Sequence, residues 1–381
     1  MNDFTYYNPT KIEFGRGKEN NIGRYIQESN IENVLLVYGT GSIKKNGLYN
    51  RIIESLKENG IVYEELDGVV SNPLLSRVNE GIGIVKENKL QAVLGVGGGS
   101  VADSAKAIAA GAKYDGDVWD FFIYKAQITE ALPVFTVMTL SATASEMNGN
   151  SVIMNDKTQQ KYSIGSVLVN PVLSVINPEL MVTVTKEYLA YSAVDIIAHS
   201  IEVYFTASLH PNFNSRIVES IIKTVIETTE TLLEDPDDYN ARAEFAWVAV
   251  QALNGLAPAG TAGGSFPNHM IEHALSAIYN VPHGAGLSVV IPAWMKWHKN
   301  QNIKQYERFA KEIFNKEDSS EGIQMLESWF FKIGAPVTLK DANIPREGID
   351  ALAENASELA KIWGMDAFYS KDTIVEILEK A

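Results

Sequence analysis

The first half of the chain alternates short apolar runs with helical stretches, and this alternation constrains the fold more than any other feature of the sequence. The runs NVLLVYG, IVYEEL, AVLGVGGG and PVFTVMTL are rich in valine, leucine and aromatic residues, and helix-like segments such as LYNRIIESLKENG lie between them. Strands that alternate with helices predict a parallel sheet with helices on both faces. We therefore expect an α/β domain at residues 1–184.

The strand pattern stops near Lys186. The segments KEYLAYSAVDIIAHSIEVYFTAS, NSRIVESIIKTVIETTETLLED and DYNARAEFAWVAVQALNG carry helical periodicity, as do later stretches up to Ala381. A chain of 381 residues also exceeds the size of one typical core. We expect a second, all-helical domain at residues 185–381, joined to the first without a long linker.

Composition excludes several classes of protein. The chain has no cysteine, which excludes disulfides and thiolate metal sites. Its net charge is −15, and no basic face for nucleic acid is visible. No run of about eighteen apolar residues predicts a membrane span, and the opening MNDFTYYNPTK lacks the basic start and apolar run of a secretory signal. We expect a cytoplasmic enzyme.

Three consecutive glycines follow the third apolar run, in AVLGVGGGSVADSAKA. Gly97, Gly98 and Gly99 let the backbone approach a ligand, and Ser100 begins a helix whose free N–H groups face that ligand. The structural alternative is a tight turn with Ser100 as N-cap and Asp103 completing a capping box. Three glycines exceed what such a turn needs, so we favour phosphate binding, although the motif is neither GxGxxG nor a P-loop.

A second glycine turn, in LLVYGTGSIKK, contains no acidic residue. It offers small residues, hydroxyls and lysines, namely Gly39, Thr40, Gly41, Ser42, Lys44 and Lys45. In many dinucleotide-binding folds an acid near a strand end binds the adenosine ribose hydroxyls. Each lysine taken separately is more typical of a solvated surface. Together with the missing acid, however, the turn predicts a ribose with a 2′-phosphate, so we expect NADP(H) to be preferred over NAD(H).

Three of the six histidines lie within the fifteen residues from His269 to His283. Asp195 and His199 are four residues apart in a helical pattern, as are His269 and His273, so each pair shares a helix face. One such histidine taken alone is usually a core residue. Jointly, Asp195, His199, His269 and His283 form a ligand set for one divalent metal, Fe²⁺ or Zn²⁺. Three roles remain open for His273: a metal ligand, a proton relay, or a residue that supports a ligand.

The motifs GGGSVADSAKA, DIIAHSIE and HMIEHALSAIYNVPHGAG together resemble the iron-containing (group III) alcohol dehydrogenases, and most of all their NADPH-dependent aldehyde reductase and butanol dehydrogenase branch. The resemblance begins at PTKIEFGRG and continues through the helical half. It implies a dehydroquinate synthase-like fold, with a Rossmann-like dinucleotide-binding domain followed by a helical metal-binding domain. It also implies a homodimer that transfers hydride between NADP(H) and small aliphatic aldehydes or primary alcohols such as butanal and butanol.

The resemblance carries site residues over one position at a time. The metal ligands of the family match the same four residues, and its additional histidine, assigned to proton relay, matches His273. Its pyrophosphate loop matches the three glycines and Ser100, and its nicotinamide-side acid matches Asp103. Its further cofactor contacts match Asn72, Thr139, Thr143, Asn150 and Lys161. Two departures are Ala144, where many members have glycine, and TVTKEYLAYS, which lacks the usual proline before the metal helix.

Two kinds of alternative remain open. One is a relative with the same fold, either a glycerol dehydrogenase-like polyol oxidoreductase using NAD or a dehydroquinate synthase. A synthase needs several basic residues for its polyanionic substrate, whereas DIIAHSIEVYF and HMIEHALSAIY are apolar and aromatic. The other is a non-catalytic protein that binds a nucleotide and a metal. We favour an enzyme for small neutral substrates.

Overall fold

The computed structural model describes residues 1–381 and divides into two compact units. One unit is Tyr7–Thr183, and the other is Val184–Ala381 together with Met1–Tyr6. The first residues belong to the second unit because the backbone of Asn2 donates a hydrogen bond to the carbonyl of Gly260 at 2.8 Å. The predicted fold class, a Rossmann-like α/β domain followed by a helical domain, is confirmed.

The strands of the first unit form one parallel sheet and one antiparallel hairpin. They are β1 (Lys11–Phe14), β2 (Asn33–Gly39), β3 (Val62–Val69), β4 (Ala92–Gly97), β5 (Val134–Met138), β6 (Asn150–Asn155), β7 (Gln160–Gly165) and β8 (Leu173–Ile176). The six-stranded sheet has the order β1-β8-β5-β4-β2-β3, and β6 pairs with β7. The central strands are buried along their whole length, as expected of a parallel sheet covered on both faces.

Six helices belong to the same unit: α1 (Ile22–Gln27), α2 (Ser42–Lys45), α3 (Leu48–Glu58), α4 (Leu75–Asn88), α5 (Gly99–Gly111) and α6 (Trp119–Phe122). Helix α5 is buried along almost its entire length. Small residues on both elements allow this close approach of α5 to the sheet. Even a Cβ placed on Gly95 of β4 would lie only 3.3 Å from the Cβ of Ala105 on α5.

The strand order brings the predicted cofactor segments to one edge of the sheet. Strands β5, β4 and β2 are neighbours and run parallel. Residues 139–143 follow β5, residues 97–100 lie at the end of β4, and residues 39–45 lie at the end of β2. Carboxyl ends of adjacent parallel strands are where ligands bind in open α/β sheets. The sheet therefore collects three segments that are far apart in sequence.

The second unit is helical. Its helices are α7 (Lys186–Thr206), α8 (Asn212–Glu234), α9 (Tyr239–Ala252), α10 (Pro267–Tyr279), α11 (His283–His298), α12 (Ile303–Phe314), α13 (Ser319–Lys332), α14 (Ile349–Ile362) and α15 (Lys371–Leu378). Helix α7 needs no proline at its start, because the Thr185 hydroxyl accepts a hydrogen bond from the backbone of Tyr188 and caps it. None of the helices has both the length and the apolar character to span a membrane.

Candidate active site

Four side chains from three helices converge in the helical unit. Asp195 and His199 lie on α7, His269 on α10, and His283 at the first position of α11. The Oδ1 atom of Asp195 lies 3.6 Å from Nε2 of His199, 3.7 Å from Nε2 of His269 and 3.5 Å from Nε2 of His283. These separations exceed an ordinary hydrogen bond, and Asp195 Oδ1 and His269 Nε2 are buried without a hydrogen-bond partner.

These distances suit ligands of a shared cation. A tetrahedral ion with bonds of about 2.0–2.2 Å to nitrogen and oxygen separates its ligand atoms by about 3.3–3.6 Å. The separations from Asp195 to His283 and His199, 3.5 and 3.6 Å, lie in this range, and the 3.7 Å to His269 is 0.1 Å beyond it. One carboxylate and three imidazoles are also donors that Fe²⁺ and Zn²⁺ both accept. The residues present therefore fit a divalent metal ion.

The surroundings put Asp195 and His199 in the protonation states that metal binding needs. Burial favours the neutral form of Asp195, but the adjacent histidines outweigh it, and its pKa lies below the usual range. Burial lowers the pKa of His199 to about 3. Burial also opposes the charged form of His269, but the carboxylates of Asp195 and Glu202 outweigh it and raise its pKa to about 9. The ligand forms are a carboxylate and a neutral imidazole, so Asp195 and His199 are already in them, whereas His269 would release a proton when a metal binds.

Two buried glutamates orient two of the histidines. The Oε1 atom of Glu202 lies 2.9 Å from Nδ1 of His269 and also accepts a hydrogen bond from the His269 backbone at 3.0 Å. Glu272 contacts Nδ1 of His283 through Oε2. Both carboxylates are completely buried. A carboxylate that accepts the Nδ1–H proton fixes the ring and leaves Nε2 for the metal.

Neither glutamate was among the residues predicted from the sequence, although a signal for both is present. Glu202 follows His199 by three residues and Glu272 follows His269 by three, each within a buried, largely apolar helix. An acid in such a position needs a buried partner. Each glutamate contacts the histidine of a different helix from its own, which the spacing along one helix does not reveal.

Glycines after His283 bring its helix close to its neighbours. A Cβ on Gly284 would lie 2.1 Å from the carbonyl oxygen of Tyr191 on α7, and one on Gly286 would lie 2.7 Å from Oε1 of Glu272. Neither contact leaves room for a side chain. The GAG segment therefore sets the position of the His283 imidazole against Asp195 and Glu272.

His273 lies beside this group of residues. Its side chain is buried on α10, and its ring centroid is 5.8 Å from that of His283 and 5.7 Å from that of Trp363. Potential ligand atoms of His273, Glu272 and His283 lie within 4.8 Å of one another. The structure thus brings His273 close to one metal-ligand candidate, and its role as a proton relay stays a prediction.

The glycine corner at the end of β4 is not a capping box. Gly98 is the N-cap of α5, which begins at Gly99, and no side chain caps it. Asp103 instead accepts hydrogen bonds from Oγ of Ser145 at 2.5 Å and from the backbone of Val152 at 3.0 Å. The N-terminal end of α5 therefore keeps backbone donors for a ligand, while Asp103 connects two segments of the chain.

Two of the three glycines are required by contacts within the chain itself. A Cβ on Gly99 would lie 2.5 Å from Oγ1 of Thr143, and one on Gly97 would lie 2.5 Å from a methyl group of Val101. The backbone of Thr139 donates to the carbonyl of Gly97 at 2.9 Å. The interpretation that glycine mainly admits a ligand is thus incomplete, because it also places Thr139 and Thr143 beside the loop.

A buried lysine that was not among the predicted residues fixes the backbone at Asn150, a predicted cofactor contact. Nζ of Lys106, on α5, donates to the carbonyls of Asn148 at 2.8 Å and Asn150 at 2.7 Å. Burial lowers the pKa of Lys106 to about 8 and raises the pKa of the neighbouring Glu146 to about 7. Asn150 is exposed, so its side chain is accessible while its backbone is fixed.

Asn72 and Lys161, two predicted cofactor contacts, are both buried, and Met154 connects Lys161 to Pro73, the residue after Asn72. Lys161 pairs with Met154 across the β6–β7 hairpin, and the Met154 backbone donates to the carbonyl of Pro73 at 2.8 Å. Asn72 has a left-handed backbone with φ 54°, and so does Ala144 with φ 50°. A left-handed conformation favours glycine, which accounts for the family preference at the position of Ala144.

The turn at the end of β2 presents hydroxyls and lysines to solvent. Thr40, Ser42, Lys44 and Lys45 are all exposed. Nζ of Lys44 lies 4.9 Å from the ring centroids of both Tyr38 and Tyr49. The hydroxyls of these tyrosines donate to Glu65 of β3, at 2.6 and 2.7 Å. Glu65 is therefore bound by tyrosines, whereas Asp67, which lies nearer the end of β3, is exposed and pairs with Arg77 at 2.9 Å.

Comparison with known proteins gives matches over both halves of the chain. A profile described as iron-containing alcohol dehydrogenase matches residues 9–178, and one for the C-terminal part of the Fe-containing alcohol dehydrogenase family matches residues 189–381. A probable NADH-dependent butanol dehydrogenase 1 of Bacillus subtilis is 41% identical over 100% of this chain and 99% of its own. The NADPH-dependent aldehyde reductase YqhD of Escherichia coli is 32% identical over 94% of both chains.

A solved structure is similar over the same extent. The NADH-dependent butanol dehydrogenase A from Thermotoga maritima superimposes with a TM-score of 0.98 and 48% sequence identity, covering 100% of this chain and 99% of that one. The similarity includes both the sheet-bearing unit and the helical unit.

Proposed function

Because the chain belongs to the iron-containing alcohol dehydrogenase family, we propose that it transfers hydride between NADP(H) and small aliphatic aldehydes or primary alcohols such as butanal and butanol. The chain is an alcohol dehydrogenase that uses a nicotinamide cofactor. The metal would be held by Asp195, His199, His269 and His283. The observation that carries the proposal is the convergence of the three histidines at 3.5–3.7 Å around one buried carboxylate oxygen of Asp195.

The chain's own residues contribute position and charge to this reaction. Bound at these four residues, the metal would act as a Lewis acid that polarises a carbonyl and lowers the pKa of an alcohol. Glu202 and Glu272 hold two imidazoles in the orientation that ligation needs. His273, buried on the same helix as His269, would carry a proton between the substrate oxygen and solvent.

The proposed substrate class rests on the side chains around the histidines. The ring of Phe266 lies 5.6 Å from that of His269, and Trp363 lies 5.7 Å from His273. Aromatic surfaces of this kind favour an apolar chain over a polyanion. This supports small aldehydes and primary alcohols over the substrate of a synthase.

The preference for NADP(H) is supported by the turn that follows β2. It has no carboxylate to repel a 2′-phosphate, and its exposed Thr40, Ser42 and Lys45 can donate hydrogen bonds. Of the acids on β3, Glu65 is engaged by Tyr38 and Tyr49, and Asp67 by Arg77. The relatives differ in cofactor: the Bacillus and Thermotoga proteins, which are more similar to this chain, are named NADH-dependent, and the Escherichia coli protein NADPH-dependent. The absence of a carboxylate in the turn after β2 favours NADPH.

One experiment tests the main proposal. The purified protein is analysed for bound metal and assayed with a panel of aldehydes from two to six carbons, with NADPH and with NADH. We expect about one Fe²⁺ or Zn²⁺ per chain and faster oxidation of NADPH than of NADH with butanal. Oxidation of glycerol with NAD⁺ but no aldehyde reduction would support the polyol alternative, and no turnover with any substrate would support a non-catalytic protein.

The family resemblance also supports a cytoplasmic homodimer. Light scattering during size-exclusion chromatography measures the oligomeric state directly, and the expected mass is twice the 41.9 kDa of the chain. A mass equal to one chain would contradict the dimer without affecting the metal site.

A further inference from the structure

The three histidines of the metal site differ in what holds their outer nitrogen. His269 and His283 each place Nδ1 against a buried glutamate. His199 has no such partner: its Nδ1 is buried and makes no hydrogen bond to any protein atom. With Nε2 directed at Asp195 and the metal position, the proton of a neutral His199 resides on Nδ1. A ligating histidine nearly always donates that proton to an acceptor.

A small cavity lies next to His199 within the helical unit. Its volume is about 30 Å³, and it is bounded by α7, α8, α9 and residues 253–266. Its walls are largely apolar and include Val203, Val218 and Phe266. A space of this size holds one or two water molecules. It is too small for the aldehydes proposed as substrates.

The same cavity is lined by a buried acceptor that also has no partner. Asn214 lies on α8, and its Oδ1 is buried without a hydrogen bond. The amide nitrogen of Asn214 donates to the carbonyls of Ala257 at 3.0 Å and Ala259 at 2.7 Å. These bonds determine which end of the amide is oxygen. The cavity is thus lined by two residues, His199 and Asn214, that each carry a buried polar atom without a hydrogen-bond partner.

We propose that a buried water molecule occupies this cavity, accepts a hydrogen bond from Nδ1–H of His199 and donates one to Oδ1 of Asn214. Asn214 is then a positioning residue for the metal ligand His199, and the water takes the place that a glutamate takes at the other two histidines. Two polar partners are sufficient to hold a buried water. The inference rests on the proposed function in one respect, the metal bound by His199.

A crystal structure of the Zn²⁺-loaded protein tests the water directly. We expect one ordered water at about 2.7–3.2 Å from both Nδ1 of His199 and Oδ1 of Asn214. An empty cavity, or a direct bond between the two side chains, would overturn the proposal.

A cavity-filling variant tests the consequence for the metal. Val218→Ile adds one methylene group to the cavity wall and changes neither polar side chain, so it should displace the water. We expect Zn²⁺ affinity, measured against a chromogenic chelator without cofactor or aldehyde, to fall about 10- to 100-fold, as for other lost outer partners of a metal ligand. The matched control is Val225→Ile, the same change in the buried core seven residues along α8, where no cavity residue is altered.

A second variant approaches the same water from the acceptor side. Asn214→Leu should weaken Zn²⁺ to a similar extent, and thermal unfolding of the metal-free protein separates this effect from loss of the amide bonds to Ala257 and Ala259. Folded Val218→Ile protein with wild-type Zn²⁺ affinity would refute the inference. A wild type that binds Zn²⁺ with the water in place but reduces no aldehyde would refute only the proposed function.

Discussion

The helical unit builds its candidate site from charged and imidazole side chains, whereas the α/β unit builds its candidate cofactor edge mostly from backbone and small residues. At the metal site, three imidazoles lie around one buried carboxylate oxygen of Asp195, and two more carboxylates hold two of these imidazoles. At the sheet edge, glycines permit contacts such as that between Gly99 and Thr143. Single side-chain changes should therefore eliminate activity at the metal site and reduce it only partly at the cofactor segments of the sheet.

The largest effect is expected for His283→Ala. This change removes one of the four proposed ligands and leaves Glu272 without its imidazole partner. Activity and bound metal should both be lost, by more than the 10- to 100-fold typical of losing an outer partner. Metal analysis and the butanal assay measure this. A variant that remains fully metallated and active would remove His283 from the ligand set.

A smaller loss is expected for His273→Ala, which tests whether its imidazole moves a proton. The metal content should be unchanged, and turnover should slow by about 100-fold if His273 acts as a general acid–base group. Equal metal loss in this variant and in His283→Ala would make His273 a ligand. Wild-type kcat would make it a bystander.

The variant Glu202→Gln tests the outer carboxylates and should cost about 10- to 100-fold in metal affinity. Glutamine retains the shape but not the charge that stabilises the Nδ1–H of His269. The matched control is Glu219→Gln, a buried glutamate on α8 that is bonded to Tyr204 and Arg308 instead of a histidine. Equal metal affinity in both variants would show that Glu202 is only structural.

The smallest effect is expected at the sheet edge, for Gly39→Asp. A carboxylate at the end of β2 should shift the ratio of kcat/KM for NADPH and NADH about tenfold toward NADH, since one charge-assisted contact is worth about 1.5 kcal/mol. A Cβ here would lie 3.3 Å from the carbonyl of Val69, so Gly39→Ala controls for space alone. A parent enzyme that already prefers NADH would contradict the interpretation of this turn.

The two regions also differed in how well they could be predicted. The four proposed metal ligands follow from local spacing and uncommon residue types, and the structure brings all four together. The capping-box alternative at the glycine corner was wrong, because Asp103 bonds to residues more than forty positions away. Lys106 gave no signal, since a lysine in a helical segment is usually solvated and only packing shows that this one is buried.

What the sequence determined by itself is local. The four-residue spacing places Asp195 with His199, and His269 with His273, on single helix faces, and the alternation of apolar runs and helices predicts the parallel sheet. Only the tertiary structure decided which helix supplies the glutamate that contacts each histidine. His269 meets Glu202 across 67 residues, and His283 meets Glu272 across 11. Such pairs form where helices pack closely, as at Gly286 of α11, where a Cβ would lie 2.7 Å from Oε1 of Glu272 on α10. The periodicity of one helix carries no information about its neighbour.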